Sequence, residues 1–355
     1  MKRIDTIRKA LQDGNLDGYM ATDVKNVYYL TGFLDISTAT LTMLIPSEGE
    51  ATLLVTPLSL EAATSQARGC QVIATSVGES MADRLLKELK ETNLRRLGYD
   101  TLQLQTYLTL SQSLEGVELL NKAEFVTNQR RVKSNEEASI IRRACEFADK
   151  GIEAAIEAIH PGAKEYEVAA QAEYAMRIHG SMGAAFETLV ASGPRSAFPH
   201  GISSDREIRE GEFVTVDLGA TWKGYCSDLT RTVVAGKASA KDLHIIRKVK
   251  EAHDKVLEEI RPGVEAVKVD AVARTTLGDL ADYFVHGLGH GVGLDIHEAP
   301  TLSRTSKDLL EAGNVVTDEP GVYIGGYGGV RTEDTVLVTR DGCEKLTKAP
   351  YPYEP

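Results

Sequence analysis

The stretch from Phe284 to Pro300, FVHGLGHGVGLDIHEAP, constrains this chain more than any other. Twelve consecutive residues of this stretch, 286–297, contain three of the chain's eight histidines and four glycines. Glycine allows backbone angles and close approaches that other residues do not tolerate, so the run predicts a tight, irregular backbone that aims imidazoles at one point. Imidazole is the commonest metal ligand and a general acid or base near neutral pH. The alternative is a glycine-rich loop with incidental histidines, unless carboxylates elsewhere complete a site.

Carboxylates interrupt four apolar, β-branched segments, which span residues 213–219, 225–234, 315–321 and 329–338. A carboxylate that faces a buried strand surface is costly unless it is paired or binds a metal. Several such interruptions are hard to explain as solvated surface. The residues that would form a mixed carboxylate and imidazole site, with enough negative charge for two divalent cations, are Asp217, Asp228, His290, Glu319 and Glu333.

These segments resemble the pita-bread metallopeptidase family, which includes Xaa-Pro dipeptidase (prolidase), aminopeptidase P and methionine aminopeptidase. The matching words are VDLG, SDLTRT, GLGHGVGLDIHE, EPGVY and GGVRTEDT, and the five ligand positions follow the family's order. The resemblance covers the C-terminal two-thirds and continues more weakly through the N-terminal third. It implies an α+β protein with a C-terminal pita-bread (creatinase/aminopeptidase-like) catalytic domain and a smaller N-terminal α/β creatinase-like domain.

The spacing of the acids suggests how they meet. If a hairpin closes at the polar loop 221–224, Asp217 and Asp228 lie opposite each other or one step off, with Cβ atoms about 4.5–5.5 Å apart. Glu319 and Glu333 repeat this arrangement around the glycine-rich turn 325–329. The resemblance makes Asp228 and Glu333 the bridging ligands. Asp217 then completes the shell of one metal, and His290 with Glu319 completes that of the other.

Oxygen ligands with one imidazole fit Mn²⁺ or Co²⁺ better than a thiolate-type zinc site, and Zn²⁺ is a further candidate. Two such metals about 3.5–4 Å apart would hold a bridging hydroxide and polarise a carbonyl, which supplies a nucleophile without Ser or Cys. A calcium or other stabilising site is the alternative.

Five residues receive roles near the substrate by resemblance. His200 and His297 border the scissile peptide and hydrogen-bond its carbonyl or the developing oxyanion. Glu319 carries a proton from the attacking water to the leaving nitrogen. Arg331 lies near the substrate carboxylate, or it pairs only with the acidic ligands. His286 shapes the pocket wall on the substrate side.

The activity that the resemblance implies is hydrolysis of Xaa-Pro dipeptides or short proline-containing peptides. Aminopeptidase P shares every catalytic residue named above and is the alternative. Methionine aminopeptidase fits less well because a full N-terminal domain precedes the catalytic one, and creatinase-like enzymes lack the full ligand set. A catalytically inactive pita-bread binding module is a distant alternative, since such proteins have usually lost ligands.

Length and composition set further limits. A chain of 355 residues predicts two domains, which we place at residues 1–125 and 126–355. A net charge of -12 and the lack of a long basic run argue against nucleic acid or an anionic membrane as the main partner. The four cysteines are scattered and fit reduced thiols of a cytoplasmic protein. The sequence shows neither a signal peptide nor an apolar run of about 20 residues that could span a membrane.

Helices are predicted throughout the C-terminal domain. Ser134 and Glu137 form a capping box that begins an amphipathic helix, and Pro161-Gly162 follows its end. Further helices are predicted over 166–180, 240–260 and 266–283. The histidines predicted to be ordinary helix-end or solvated residues are His160, His179, His244 and His253.

The N-terminal third carries no cofactor motif. Its loop 32–38 follows a predicted strand and places apolar residues around Asp35. An ordinary connection is one interpretation. In prolidase-like proteins, however, the N-terminal domain of one subunit leans over the active site of the other. The resemblance therefore implies a homodimer, in which we expect Asp35 to pair with the ammonium group of the substrate.

Overall fold

A computed structural model describes residues 2–35, 40–92 and 94–353. The chain divides into two compact units, Met1–Arg130 and Arg131–Pro355. The predicted boundary after residue 125 falls inside the helix Glu124–Arg131, and the division follows at the end of that helix. Within the described ranges, no helix combines the length and the apolar character needed to cross a bilayer.

The first unit is a mixed sheet with helices. Its strands are β1 (Gly18–Ala21), β2 (Thr42–Pro46), β3 (Thr52–Val55), β4 (Gln71–Ala74), β5 (Arg96–Tyr99) and β6 (Glu118–Asn121). Its helices are α1 (Lys2–Asp13), α2 (Val24–Thr31), α3 (Leu60–Gln66), α4 (Met81–Lys90), α5 (Leu104–Ser113) and α6 (Glu124–Arg131). The strand order is β4-β3-β2-β1-β5-β6, and the middle strand β1 is buried along its whole length. The predicted small α/β domain is confirmed.

The segment before Gly32 differs from the prediction. A strand is predicted there, ahead of the loop 32–38, but the structure has helix α2. The side chain of Asp23 caps this helix by accepting the N–H of Asn26 at 2.9 Å. Gly32 ends it in the left-handed conformation, with φ of 79°. Start and stop signals at both ends thus outweigh the β propensity of the residues between them.

The second unit contains most of the strands. These are β7 (Gly183–Ala184), β8 (Leu189–Ser192), β9 (Phe213–Leu218), β10 (Ala220–Trp222), β11 (Tyr225–Cys226), β12 (Leu229–Val234), β13 (Gly289–Gly291), β14 (Glu298–Leu302), β15 (Val315–Asp318), β16 (Gly321–Ile324), β17 (Gly328–Arg331), β18 (Asp334–Val338) and β19 (Cys343–Lys345). The helices are α7 (Asn135–Ala158), α8 (Glu165–Ile178), α9 (Ala240–Glu259) and α10 (Ala266–Leu277).

Helix ends follow local chemistry. The predicted capping box is confirmed, since the Ser134 side chain accepts the Glu137 N–H and the Glu137 carboxylate accepts the Ser134 N–H. The last predicted helix is too long. Helix α10 ends at Leu277, because Gly278 takes a φ of 57°, and a 3₁₀ turn continues to Tyr283.

One arrangement occurs twice in the second unit. In each half, a helix pair precedes an antiparallel strand pair with a short hairpin inserted into it: α7 and α8 with β9 and β12, then α9 and α10 with β15 and β18. The link between the helices is held alike in both halves. Gly162 donates to the carbonyl of Ile208, and Gly263 donates to that of Leu310, each over 2.8 Å. The two halves of the second unit are therefore alike in their hydrogen bonding as well as in the order of their elements.

Each half has its own core. Helices α7 and α8 pack on β9 and β12 through side chains that include Ile152, Val168, Val216 and Leu229. Helices α9 and α10 pack on β15 and β18 through side chains that include Val249, Val269, Val316 and Val336. Burying one such side chain contributes about 1.5–3 kcal/mol. The strands that lead to the predicted acids are therefore firmly held.

Candidate metal centre

The two aspartates leave adjacent strands on the same face. In the β9–β12 ladder, Asp217 lies opposite Thr230, and Asp228 is two residues before Thr230. Side chains two residues apart in a strand point the same way, so both carboxylates face one side. The predicted register places Asp228 opposite Asp217 or one step away. It is therefore wrong, because Asp228 lies two residues from the position opposite Asp217. The intervening segment forms its own hairpin, β10–β11, which closes at Lys223 and Gly224 with φ angles of 46° and 79°.

The two glutamates take a similar place in the second half, although their register differs from that of the aspartates. Glu319 directly follows β15, and Glu333 directly precedes β18. The ladder pairs Asp318 with Asp334, and one further step in that register brings Glu319 opposite Glu333. The β16–β17 hairpin lies between them, as β10–β11 lies between the aspartates. Each half thus presents two acids where a strand pair gives way to a hairpin.

Glycines let strand β13 approach its neighbours closely. A Cβ atom at Gly289 would lie 2.2 Å from the carbonyl oxygen of Thr317, and one at Gly291 would lie 2.4 Å from that of Ala299. The β13–β14 register also shifts between His290 and Gly291. The tight and irregular backbone predicted for this stretch is confirmed.

The imidazole of His290 is aimed at the acids. Its Nε2 lies 3.4 Å from Glu319 Oε1 and 3.6 Å from Asp228 Oδ2. Its Nδ1 lies 3.1 Å from the carbonyl oxygen of Gly291, which favours a proton on Nδ1 and leaves Nε2 as an acceptor. Burial, and next the nearby His297, lower the pKa of His290 to about 4. A neutral imidazole with a free Nε2 is the form that binds a metal.

The carboxylates lie close enough to share a cation. Ligand atoms of Asp217, Asp228 and Glu333 all fall within 4.8 Å of one another. Burial and the neighbouring acids raise the pKa of Asp228 and of Glu333 well above the usual range. Burial raises the pKa of Glu319 to about 8, although the charge of Arg331 opposes this shift. Like charges this close are costly unless protons or cations compensate them.

A buried oxygen atom of Asp217 indicates whether this site can hold a metal ion. Asp217 Oδ1 is buried and has no hydrogen-bond partner among the described residues, while its Oδ2 is occupied by Arg331. A buried acceptor without a donor is unfavourable unless a cation or water reaches it. Together with the oxygen-rich donor set and the imidazole of His290, this acceptor fits a divalent metal ion.

Arg331 connects two of the acids through hydrogen bonds, one directly and one through Thr230. Its Nη2 donates to Asp217 Oδ2 at 2.6 Å, and its Nε donates to Thr230 Oγ1 at 3.0 Å. The same hydroxyl donates to Glu333 Oε2 at 2.5 Å. Arg331 Nη1 donates to the hydroxyl of Tyr323 at 2.7 Å. Tyr323 is not among the predicted site residues, although its position four residues after Glu319, on a strand that returns past the acids, is a signal for it.

The acids open into a cavity of about 390 Å³. The residues predicted for the site that line it are Asp217, Asp228, His290, Glu319, Glu333, His200, His286, His297 and Arg331. The ring centroid of His297 lies 4.1 Å from that of His290. His286 Nε2 lies 2.8 Å from the hydroxyl of Tyr323. His200 is exposed at the cavity wall.

A buried ionic cluster lies next to the acids in sequence. His253 Nε2 is 3.0 Å from Asp334 Oδ2 and 3.7 Å from Asp318 Oδ2, and all three side chains are inaccessible to solvent. The prediction that His253 is solvated is therefore wrong. On α9 it shares the buried face with Val249 and Val256, whereas His244 is exposed as predicted. Asp318 and Asp334 directly adjoin Glu319 and Glu333, so this cluster holds the ends of the strands that carry the glutamates.

Asp35 belongs to the first unit. It is buried, and its Oδ2 accepts a hydrogen bond of 2.8 Å from Ser59 Oγ. The predicted loop 32–38 extends beyond it, and residues 36–38 lie outside the described residues. Its proposed contact with a substrate stays a prediction.

Comparison with known proteins places both units in known families. The model of metallopeptidase family M24 matches residues 139–340. The model of the creatinase/prolidase N-terminal domain matches residues 3–132.

Similar proteins span nearly the whole chain. The Xaa-Pro dipeptidase of Pyrococcus furiosus is 39% identical over 355 residues, which cover 98% of each chain. The solved prolidase from Pyrococcus horikoshii OT3 is 37% identical, with a TM-score of 0.94 over 100% of both chains. The solved X-Pro aminopeptidase from Thermotoga maritima is 30% identical, with a TM-score of 0.87 over 95% of this chain and 97% of its own.

Proposed function

Because this chain belongs to metallopeptidase family M24, we propose that it hydrolyses Xaa-Pro dipeptides with two divalent metal ions. The observation that carries the proposal is the pocket of four carboxylates and one imidazole, within a chain 39% identical to an Xaa-Pro dipeptidase over its full length. The predicted alternative, aminopeptidase P activity, is supported by the likeness to the Thermotoga maritima X-Pro aminopeptidase.

The proposed ligands divide into two sets that meet. Asp228 and Glu333 would bridge, Asp217 would complete one side, and His290 with Glu319 would complete the other. The 3.4 Å between His290 Nε2 and Glu319 Oε1 supports their pairing. Two divalent cations bound there would lower the pKa of water and polarise the scissile carbonyl.

Glu319 is the proposed proton carrier. Its carboxyl group lines the cavity that would hold the substrate, and a carboxylate so placed can accept and return a proton. The hydroxyl of Thr317 donates to Glu319 Oε1 at 3.0 Å and fixes its orientation. Glu319 would take a proton from the attacking water and give it to the proline nitrogen, which has no N–H of its own.

His200 and His297 are the proposed donors to the developing oxyanion. Both line the cavity, and burial, followed by the charge of His200, lowers the pKa of His297. A neutral imidazole keeps one N–H, which can donate to an oxygen as it gains charge. His286 and Arg331 would shape the substrate side of the same cavity.

The size of the cavity favours a small substrate. Ligand pockets range over about 300–1,000 Å³, and a cavity of about 390 Å³ lies near the lower end. We further propose a homodimer in which the N-terminal domain closes the partner's active site. The free thiols of all four cysteines support a cytoplasmic location.

The test compares Xaa-Pro dipeptides with Xaa-Pro-Pro tripeptides, after removal of metal with a chelator and reloading with Mn²⁺ or Co²⁺. We expect metal-dependent cleavage of the dipeptides and little cleavage of the tripeptides. Glu319→Gln should keep the fold but lose nearly all turnover, whereas Glu344→Gln, on an exposed strand position, should not. Preferential cleavage of tripeptides would indicate aminopeptidase P, and metal binding without any cleavage would indicate a binding module.

A further inference from the structure

One fully buried carboxylate has no place in the proposed reaction. Glu165 is the first residue of α8, and none of its surface is exposed to solvent. Its Oε1 accepts from the backbone N–H and the hydroxyl of Ser192, both at 2.8 Å. Its Oε2 accepts from the backbone N–H of Ser204 at 3.1 Å and from the Ser204 hydroxyl at 2.6 Å. The side chain of Glu165 thus accepts hydrogen bonds from both ends of the segment 192–204.

This segment carries His200. Arg195, inside the segment, lies 3.3 Å from Glu165 Oε2 and also donates to the carbonyl of Ile202. The segment therefore folds around the Glu165 carboxylate. Hydrogen bonds to a charged acceptor are stronger than those between neutral groups, so this carboxylate is a strong anchor at both ends of the segment.

The imidazole of His200 has no anchor of its own. Among the described residues, no hydrogen bond to its ring is seen, and the side chain is exposed at the cavity wall. What fixes it is the backbone: Gly201 N donates to the carbonyl of Phe198 at 3.0 Å, and Arg331 Nη1 lies 3.3 Å from the carbonyl oxygen of Pro199. The position of His200 thus depends on how firmly its segment is held.

The other half of the second unit shows the same principle. Asp270, on α10, accepts from the backbone N–H of Leu288 at 3.1 Å and pairs with Arg274 at 2.7 Å. Arg274 in turn donates to the carbonyl of His286 at 2.6 Å. An acid on the second helix of each half therefore holds the segment that brings histidines to the cavity.

We propose that Glu165 is a positioning residue for His200, which holds the segment 192–204 so that this imidazole reaches the scissile carbonyl. The inference rests on the proposed peptidase function. If Glu165 served the fold alone, its loss would reduce stability without a catalytic effect that depends on His200. If it acts on His200, its loss should reduce turnover only while His200 is present.

The central variant is Glu165→Gln. Its amide oxygen can still accept from Ser192, but its NH₂ group faces the Ser204 donors, so one end of the segment is released. We expect kcat for an Xaa-Pro dipeptide to fall at least tenfold while the Mn²⁺ dissociation constant, measured by equilibrium dialysis, stays within twofold. In a His200→Ala background, the same substitution should lower kcat by less than twofold. Glu173→Gln, at an exposed position on α8, is the matched control and should behave as the wild type.

Hydrogen exchange of the metal-free protein gives a readout that does not depend on activity. Glu165→Gln should speed exchange in the segment 192–204 and leave 284–290 unchanged. If this variant does not fold, Ser204→Ala, which removes one hydroxyl donor, should show smaller effects with the same dependence on His200. Equal losses of kcat with and without His200, or unchanged exchange in 192–204, would overturn the proposal. An inactive wild type with Mn²⁺ bound would overturn the proposed function instead, while faster exchange in the variant would still support the role of Glu165 in holding the segment.

Discussion

Arg331 Nη2 lies 2.6 Å from Asp217 Oδ2, so a buried guanidinium compensates one of four clustered carboxylates. Arg331→Met should therefore destabilise the metal-free protein by about 3–5 kcal/mol, the usual cost of leaving a buried charge unpaired. The loss should be smaller with Mn²⁺ bound, because the cation then compensates Asp217. Thermal melts with chelator and with Mn²⁺ would measure both. Arg209→Met, at an exposed position, is the control, and equal losses in the two conditions would contradict this role.

The affinity for Mn²⁺ should depend on pH. Burial raises the pKa of Glu319 to about 8, so below pH 8 a binding cation must displace its proton. The pKa of His290 is lowered to about 4, so this imidazole does not hold a competing proton above pH 6. Each displaced proton weakens apparent affinity about tenfold per pH unit, so affinity should fall from pH 8 to pH 6. Calorimetry in buffers of different ionisation enthalpy would count the protons, and a constant affinity over this range would argue against the assignment.

His253→Gln should destabilise the second unit. Burial alone would lower the pKa of His253, but the charge of Asp318 and the polar contacts with Asp254 and Asp334 raise it to about 9. A raised histidine pKa contributes stability that is fully present below about pH 6.5 and is lost as pH rises through 9. The difference in unfolding free energy between wild type and variant should shrink over that window in urea titrations. His244→Gln, on the exposed face of α9, should have no effect at any pH.

His297→Ala should reduce kcat far more than metal content. The ring lies 4.1 Å from that of His290, yet its proposed partner is the substrate. Metal analysis after gel filtration, run beside steady-state kinetics, separates the two effects. Loss of metal in proportion to loss of activity would show instead that His297 supports the centre itself.

Asp35→Ala should raise KM for dipeptides and leave Mn²⁺ affinity unchanged, if this carboxylate pairs with the substrate ammonium. Because Asp35 also accepts a hydrogen bond from Ser59, the matched control is Ser59→Ala, which removes that bond but keeps the charge. A rise in KM with both variants would mean that the hydrogen bond, and not the charge, accounts for the effect.

The acids of the candidate centre could be selected from sequence because they interrupt apolar strands. A carboxylate within or beside an apolar strand is a local anomaly, and Asp217 lies within such a strand while Glu333 directly precedes one. The register of the strands that carry these acids could not be predicted from sequence, because it depends on how closely the strands approach each other. A Cβ atom at Gly219 would lie 2.1 Å from the carbonyl oxygen of Ser227, so the chain departs there from a regular hairpin. Such a contact is tertiary information that spacing does not contain.

The burial of His253 could have been predicted. It lies four residues after Val249 and three before Val256, which is the spacing of one helix face. The partners of His253 could not have been predicted from sequence, because Asp318 and Asp334 come from two strands that meet only in the folded chain. Helix α2 shows the opposite case. The capping residues Asp23 and Gly32 indicate a helix, whereas the residues between them favour a strand.

The twofold repeat of the second unit has a consequence for the order of folding. Each half is contiguous in sequence, so its helices and strands can assemble through contacts between near neighbours, which form fast. The four acids meet only when the halves dock, for example as Glu333 N donates to the carbonyl of Thr230 at 3.1 Å. Charge repulsion between the aspartates of one half and the glutamates of the other therefore arises only at this docking stage. We expect low pH to speed the docking of the halves and to leave the assembly of each half unchanged.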